Sequence, residues 1–207
     1  MILTPIPPDE LGGALRRFAA QLADPASLAA FAAIRATSAE RAVGAAAERH
    51  RRTALALARR HHMKLHPAGT RPGCNWDGDA LDRDTEAYVI LHEIAHFVLA
   101  PPERRRLVDF GLGPGPDTTA RAAAERAAVV PPLERDAEEA AASLLGILWE
   151  AALGQPALAS FLDQNWLEGV NRSAAAHFTA VLARLQQRGL IEITEGGDDR
   201  RRVEQRR

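Results

Sequence analysis

Residues 92–96 read His92-Glu93-Ile94-Ala95-His96, two histidines four positions apart with a glutamate between them. On an α-helix such residues fall about 40° apart on one face and roughly one turn along the axis. Two imidazoles so placed can reach one divalent metal ion from a rigid support. Glu93 falls where its carboxylate can take a proton from a metal-bound water. The surroundings favour this use. Val89, Ile90, Leu91, Ile94, Ala95, Phe97, Val98 and Leu99 make the segment a buried helix, where unligated histidines beside a carboxylate would lack polar partners.

A zinc or iron site needs a third protein donor, usually a carboxylate or another histidine. No histidine follows until His177, and His61 and His62, flanked by arginine at a helix end, read as solvated cap residues, with His66 close by. The acidic candidates are Glu134, Asp136, Glu138 and Glu139, which open a helix expected over about 134–153, and Glu150 near its far end. Asp136 and Glu139 are accounted for by the positive end of the helix dipole. Glu138 precedes Ala141, Ala142 and Leu145 on the presumed core face. For it, dipole complementation and an inward-pointing ligand are equally good readings.

The helix that carries the pair is expected over about 85–100. Asp84 or Thr85 would cap its start, and Pro101-Pro102 would end it. Upstream, residues 1–62 read as two or three alanine-rich helices, about 9–23, 26–36 and from Ser38 to His62, forming a packed layer rather than a free arm. Residues 63–84 are rich in turn formers and read as a loop, with a short strand near Met63–His66. Leu107-Val-Asp-Phe110 has strand character, 111–116 is a loop, and 118–130 an exposed helix. Further helices are expected over 156–163 and 171–188, strand character over Leu190–Thr194, and a disordered charged tail over 195–207. The reading is therefore α+β and mainly helical, with a small sheet beside a central metal-binding helix. The domains expected are an N-terminal helical segment over 1–62, a catalytic domain over 63–194 and the tail.

At 207 residues and a net charge of −1, the chain can bury a core but gives no general electrostatic case for nucleic acid or an acidic membrane surface. Lys64 is the only lysine, and Cys74, the only cysteine, cannot form an intramolecular disulfide, which suits a reducing cytoplasm. Residues 1–8 carry three prolines and lack the basic start and apolar core of a signal peptide. No uncharged run, Ala140–Trp149 included, is long enough to span a bilayer. A soluble cytoplasmic protein is expected.

Beyond the pentapeptide, an ordered set of segments resembles the elongation factor P hydroxylase family. It runs from His92-Glu-Ile-Ala-His96-Phe through Arg104-Arg-Arg-Leu-Val-Asp109-Phe110-Gly111 and Pro116-Asp117. It continues in Glu134–Leu144 and Asn165-Trp-Leu-Glu168-Gly169, so it covers about residues 85–170. The resemblance implies an enzyme that hydroxylates the modified lysine of elongation factor P. It further implies a metal, taken to be iron, on two histidines and a carboxylate, in a small α/β fold like that of a bacterial endoribonuclease. By position His92 and His96 match the paired ligands, Glu93 the motif glutamate, and Glu138 the acidic residue of the next helix. Asp109, Phe110, Asp117 and Glu168 fall in the resembling stretch and are expected to contact substrate: Asp109-Phe110-Gly111 would line the metal pocket, and Glu168, Asp109 or Asp117 would hold a cationic side chain. The loop Leu112-Gly-Pro-Gly115 replaces an aromatic-rich stretch of the family, and residues 1–62 have no counterpart there.

Two functions follow from different classes. The donor set suits an iron(II) oxygenase, whose open positions take dioxygen. It equally suits a zinc peptidase or other hydrolase, in which Glu93 deprotonates a bound water. On the pentapeptide alone the hydrolase is favoured; the flanking resemblance turns the expectation to the hydroxylase. A metal-binding protein without catalysis is the third reading.

Overall fold

Local sequence chemistry sets the ends of most elements in the computed structural model, which describes residues 6–168 and 173–192. Helices α1 (Pro8–Ala19), α2 (Pro25–Arg35) and α3 (Gly44–Arg60) come first, followed by strands β1 (Lys64–Leu65) and β2 (Ala80–Leu81). Helix α4 (Ala87–Leu99) precedes two short 3-10 turns, Arg104–Arg106 and Val108–Gly111. Helices α5 (Arg121–Ala127), α6 (Pro132–Ala152), α7 (Ala157–Asp163) and α8 (Ala174–Gln187) complete the described chain. The described residues are thus mainly helical, with one small sheet in which β1 and β2 pair in parallel, Lys64 opposite Ala80 and Leu65 opposite Leu81. Among the described residues no helix is long and apolar enough to cross a membrane.

The chain divides into two compact units, and not at residue 62 as expected from sequence. One comprises the described residues of 1–40 and 151–207. Its core is aromatic: Phe18, Phe31, Phe161 and Phe178 pack together with Trp166, and the Phe18 and Phe31 rings lie 4.7 Å apart. Asp24 caps α2 by accepting the Ser27 N–H at 2.8 Å, and Ser173 caps α8. Leu190–Glu192 is not a strand, and Ile193 to Arg207, with the expected tail, lies outside the described residues.

The second unit, residues 41–150, takes α3 from the expected N-terminal segment and packs it on α4 through Ala54, Leu55, Leu57 and Ala58. Helix α3 starts at Gly44 rather than Ser38, because the Ser38 hydroxyl bonds both the N–H and the carbonyl of Glu40 and holds that stretch in a turn. Helix α4 is buried along nearly its whole length and stops at Leu99, with Ala100 extended before Pro101. Its N-cap is Glu86, without a side-chain cap, rather than Asp84 or Thr85.

The expected strand at Leu107–Phe110 is instead the second 3-10 turn, with Asp109 and Phe110 in the left-handed region at φ 45° and 53°. The Asp109 N–H donates to the Trp76 carbonyl at 3.0 Å, and the Leu112 N–H back to Asp109 at 2.9 Å, so tertiary ties override the strand-like pattern. Gly78 makes this arrangement possible. It has φ 95°, and a Cβ there would meet the Arg106 carbonyl oxygen at 2.6 Å. Gly78→Ala is therefore expected to cost about 1–3 kcal/mol, the range of a backbone forced into a rare conformation. Urea unfolding checks it; a change below about 0.5 kcal/mol, typical of neutral surface sites, would contradict it.

Candidate metal centre

The i, i+4 spacing on α4 does bring the two histidines together: their Nε2 atoms lie 3.0 Å apart. The carboxylate that meets them is Glu139. One of its oxygens is 3.5 Å from His92 Nε2 and 3.3 Å from His96 Nε2. Among the described residues, His92, His96 and Glu139 form the one group of three side chains whose donor atoms converge closely enough for a metal ion, all within 4.8 Å. Two nitrogens and one oxygen gathered this closely are a donor set used by both zinc and iron. These residues fit a divalent metal.

Glu138, favoured from sequence, takes a different place. Its Oε2 pairs with the Arg104 guanidinium, and its Oε1 lies 3.6 Å from Nδ1 of His96, on the far side of the ring from Glu139. Adjacent helix positions are about 100° apart, and here Glu138 reaches the Nδ1 side of His96 while Glu139 reaches the Nε2 side. The helix register explains which one reaches the Nε2 side. Gly146 lies seven residues after Glu139, within about 20° of the same face. A Cβ at Gly146 would sit 3.4 Å from the His92 backbone, so this face of α6 runs directly against the motif.

Electrostatics prepare the group for a cation. Burial holds the His92 imidazole below its usual range and so favours the neutral ligand form. At His96 burial acts the same way but is outweighed by Glu138 and Glu139, which raise its pKa to about 10. Burial works against ionisation of Glu139, yet its hydrogen bonds to the two histidines dominate and lower its pKa strongly. Metal binding at the converging nitrogens therefore competes with protonation of His96.

Glu93 is buried beside the pair, with its Oε1 accepting from Asn75 Nδ2 at 3.2 Å. Burial, reinforced by Asp109 and Glu139, pushes its carboxyl up to about 7, suited to moving a proton at neutral pH. Phe110 stacks on His96 at a centroid distance of 5.6 Å and an interplanar angle of 23°, and Trp76 stacks against Phe110 at 5.5 Å. Asp109 is held by the Thr118 hydroxyl, which donates to it at 2.8 Å; burial raises its pKa. Asp109 and Phe110 are thus drawn to the histidines, although by a turn rather than a strand. Cys74 is buried nearby, and burial plus the surrounding carboxylates push its thiol up to about 12, which removes it as a nucleophile at neutral pH.

Two of the expected substrate contacts are exposed. Asp117 is an exposed turn residue whose neighbour Thr118 faces inward, and Glu168 is exposed in the other compact unit. His61 is the C-cap of α3, half-buried with its ring tilted against Trp149 at 6.0 Å, and His62 beside it is exposed. Sequence reasoning passed over Asn75, Arg104, Thr118 and Trp76. Asn75, Trp76 and Arg104 act through partners distant in the chain, a signal that spacing does not carry. Comparison with models of protein families, with curated proteins and with solved structures returned no match.

Proposed function

We propose that this chain is a mononuclear metalloenzyme in which His92, His96 and Glu139 hold one divalent cation and Glu93 moves a proton beside it. The convergence of the two Nε2 atoms and the Glu139 carboxylate is the observation that carries this reading. The reaction we assign is iron(II)-dependent hydroxylation of a protein side chain, the modified lysine of elongation factor P being the substrate that the resemblance implies. Its support is that Arg104, Asp109 and Phe110, three residues of the resembling stretch, gather around His96 and its neighbour Glu138.

When bound, iron(II) would supply activation of dioxygen. The overall change is C–H plus O2, two electrons and two protons to C–OH plus water, so a reducing cosubstrate is required. Phe110 covers one face of His96 and keeps water from it, while Asp109, fixed by Thr118, offers a carboxylate to a cationic side chain. Asn75 fixes the Glu93 carboxyl so that its proton is given and taken at one place. A cytoplasmic location suits a translation-factor substrate. One observation favours a second reading, zinc-dependent hydrolysis: a buried glutamate with its pKa raised to about 7 beside the donor group suits a general base for water.

The test uses anaerobically purified protein loaded with iron(II) or with zinc. Iron-loaded protein with oxygen and a reductant is expected to add one oxygen atom to elongation factor P carrying its modified lysine, read by intact mass. Glu93→Gln is expected to keep stoichiometric metal while turnover falls by about 10²–10⁴, the usual contribution of a positioned acid–base group. Cleavage of a peptide library by the zinc form, with an inert iron form, would replace hydroxylation by hydrolysis. Inactivity of both forms would leave a metal-binding protein without catalysis.

A further inference from the structure

A second charged group lies behind His96, on the side away from Glu139. Arg104 Nη2 pairs with Glu138, and Nη1 donates to the Phe110 carbonyl at 3.1 Å. Both charged side chains are largely covered, 15% and 14% exposed, so this is not a solvated surface pair. Glu138 Oε1 and His96 Nδ1 are buried and face each other at 3.6 Å, and neither has a hydrogen-bond partner among the described residues. That distance is just too long for a hydrogen bond, and a small turn of the imidazole closes it. Arg104 therefore grips both things that touch His96 from behind: the carboxylate facing Nδ1 and the residue whose ring stacks on its face.

We infer that Arg104 is a positioning residue of the metal centre: through Glu138 and Phe110 it fixes the ring of His96 so that Nδ1–H points to Glu138 and Nε2 points to the metal. This rests on the metal-centre reading above. A histidine that binds a metal through Nε2 must carry its proton on Nδ1, and a carboxylate accepting that proton sets both tautomer and ring angle. Arginine suits the task because its planar fork serves two acceptors at once and stays charged. The left-handed backbone at Asp109 and Phe110 also needs fixing from outside, and the bond from Arg104 to the Phe110 carbonyl is one such tie.

The experiment measures zinc affinity of the full chain by competition with a chromophoric chelator, alongside the His96 Nδ1 proton in NMR spectra of the zinc-loaded protein. Arg104→Gln is expected to weaken zinc binding by about 10–100-fold, as other outer-shell changes do, and to shift or broaden away the Nδ1 proton resonance. Arg104→Lys, which keeps a charge for Glu138 but cannot serve both acceptors, is expected to fall between. A merely structural arginine would lower thermal stability while leaving affinity and resonance unchanged. Zinc affinity of folded Arg104→Gln within about threefold of the parent, with an unmoved resonance, overturns the inference while the metal centre stands. If the parent binds no zinc, the metal-centre reading itself fails. Should Arg104→Gln not fold, Arg104→Lys and Glu138→Gln are read by the same two criteria, and parental behaviour in both overturns it.

Discussion

Alanine at His92 or His96 is expected to abolish stoichiometric metal binding and, with it, turnover. Each substitution removes one of two nitrogens that lie 3.0 Å apart and leaves an incomplete donor set on a buried helix. The loss should go well beyond the roughly 10–100-fold seen when only an outer-shell partner is removed. The two variants should differ in stability. His92 is partly exposed, whereas His96 is 3% exposed and packed between Phe110 and the glutamates of α6. His96→Ala is therefore expected to destabilise the metal-free fold by about 2–4 kcal/mol, because a buried ring that packs on Phe110 is removed and leaves a cavity, and His92→Ala by less. Elemental analysis and thermal unfolding of both variants check these outcomes. Full metal in both single variants would contradict them.

The contrast between neighbouring glutamates has the next largest expected effect. Glu139→Ala removes the carboxylate nearest both Nε2 atoms and is expected to reduce metal affinity by more than about 100-fold, beyond the outer-shell range. Glu138→Ala removes the group behind His96 and is expected to cost about 10–100-fold. Chelator competition on the two variants reads the order directly. Parental affinity in Glu139→Ala, or a larger loss in Glu138→Ala, would exchange the roles assigned to them.

That contrast also shows where the sequence is legible and where it is not. Helix α4 can be read from residues alone, because it is apolar apart from the motif and Pro101 stops it. The motif on it then needs only helical spacing to converge. Choosing between Glu138 and Glu139 needs the face that α6 turns to α4. Residues Ala141–Ile147 are all buried, so hydrophobic periodicity, the usual guide to a helix face, does not select one. Gly146, seven residues after Glu139, is the signal that was available, since a glycine inside a buried helix marks a close approach.

The turn at Asp109–Phe110 was not legible for a different reason. Its pattern resembles a strand, and the ties that bend it come from Trp76 and Arg104. The transfer of α3 to the unit of α4 is likewise a packing outcome. Its stripe of Ala54, Leu55, Leu57 and Ala58 needs a partner, but a stripe does not say which.

The most direct test of the metal centre is the anomalous difference map of a crystal of the protein grown with zinc or iron(II). The expected result is one peak about 2.0–2.2 Å from His92 Nε2, His96 Nε2 and a Glu139 oxygen, with Glu138 outside that shell. A peak coordinated without Glu139, or none at the two histidines, would contradict the account.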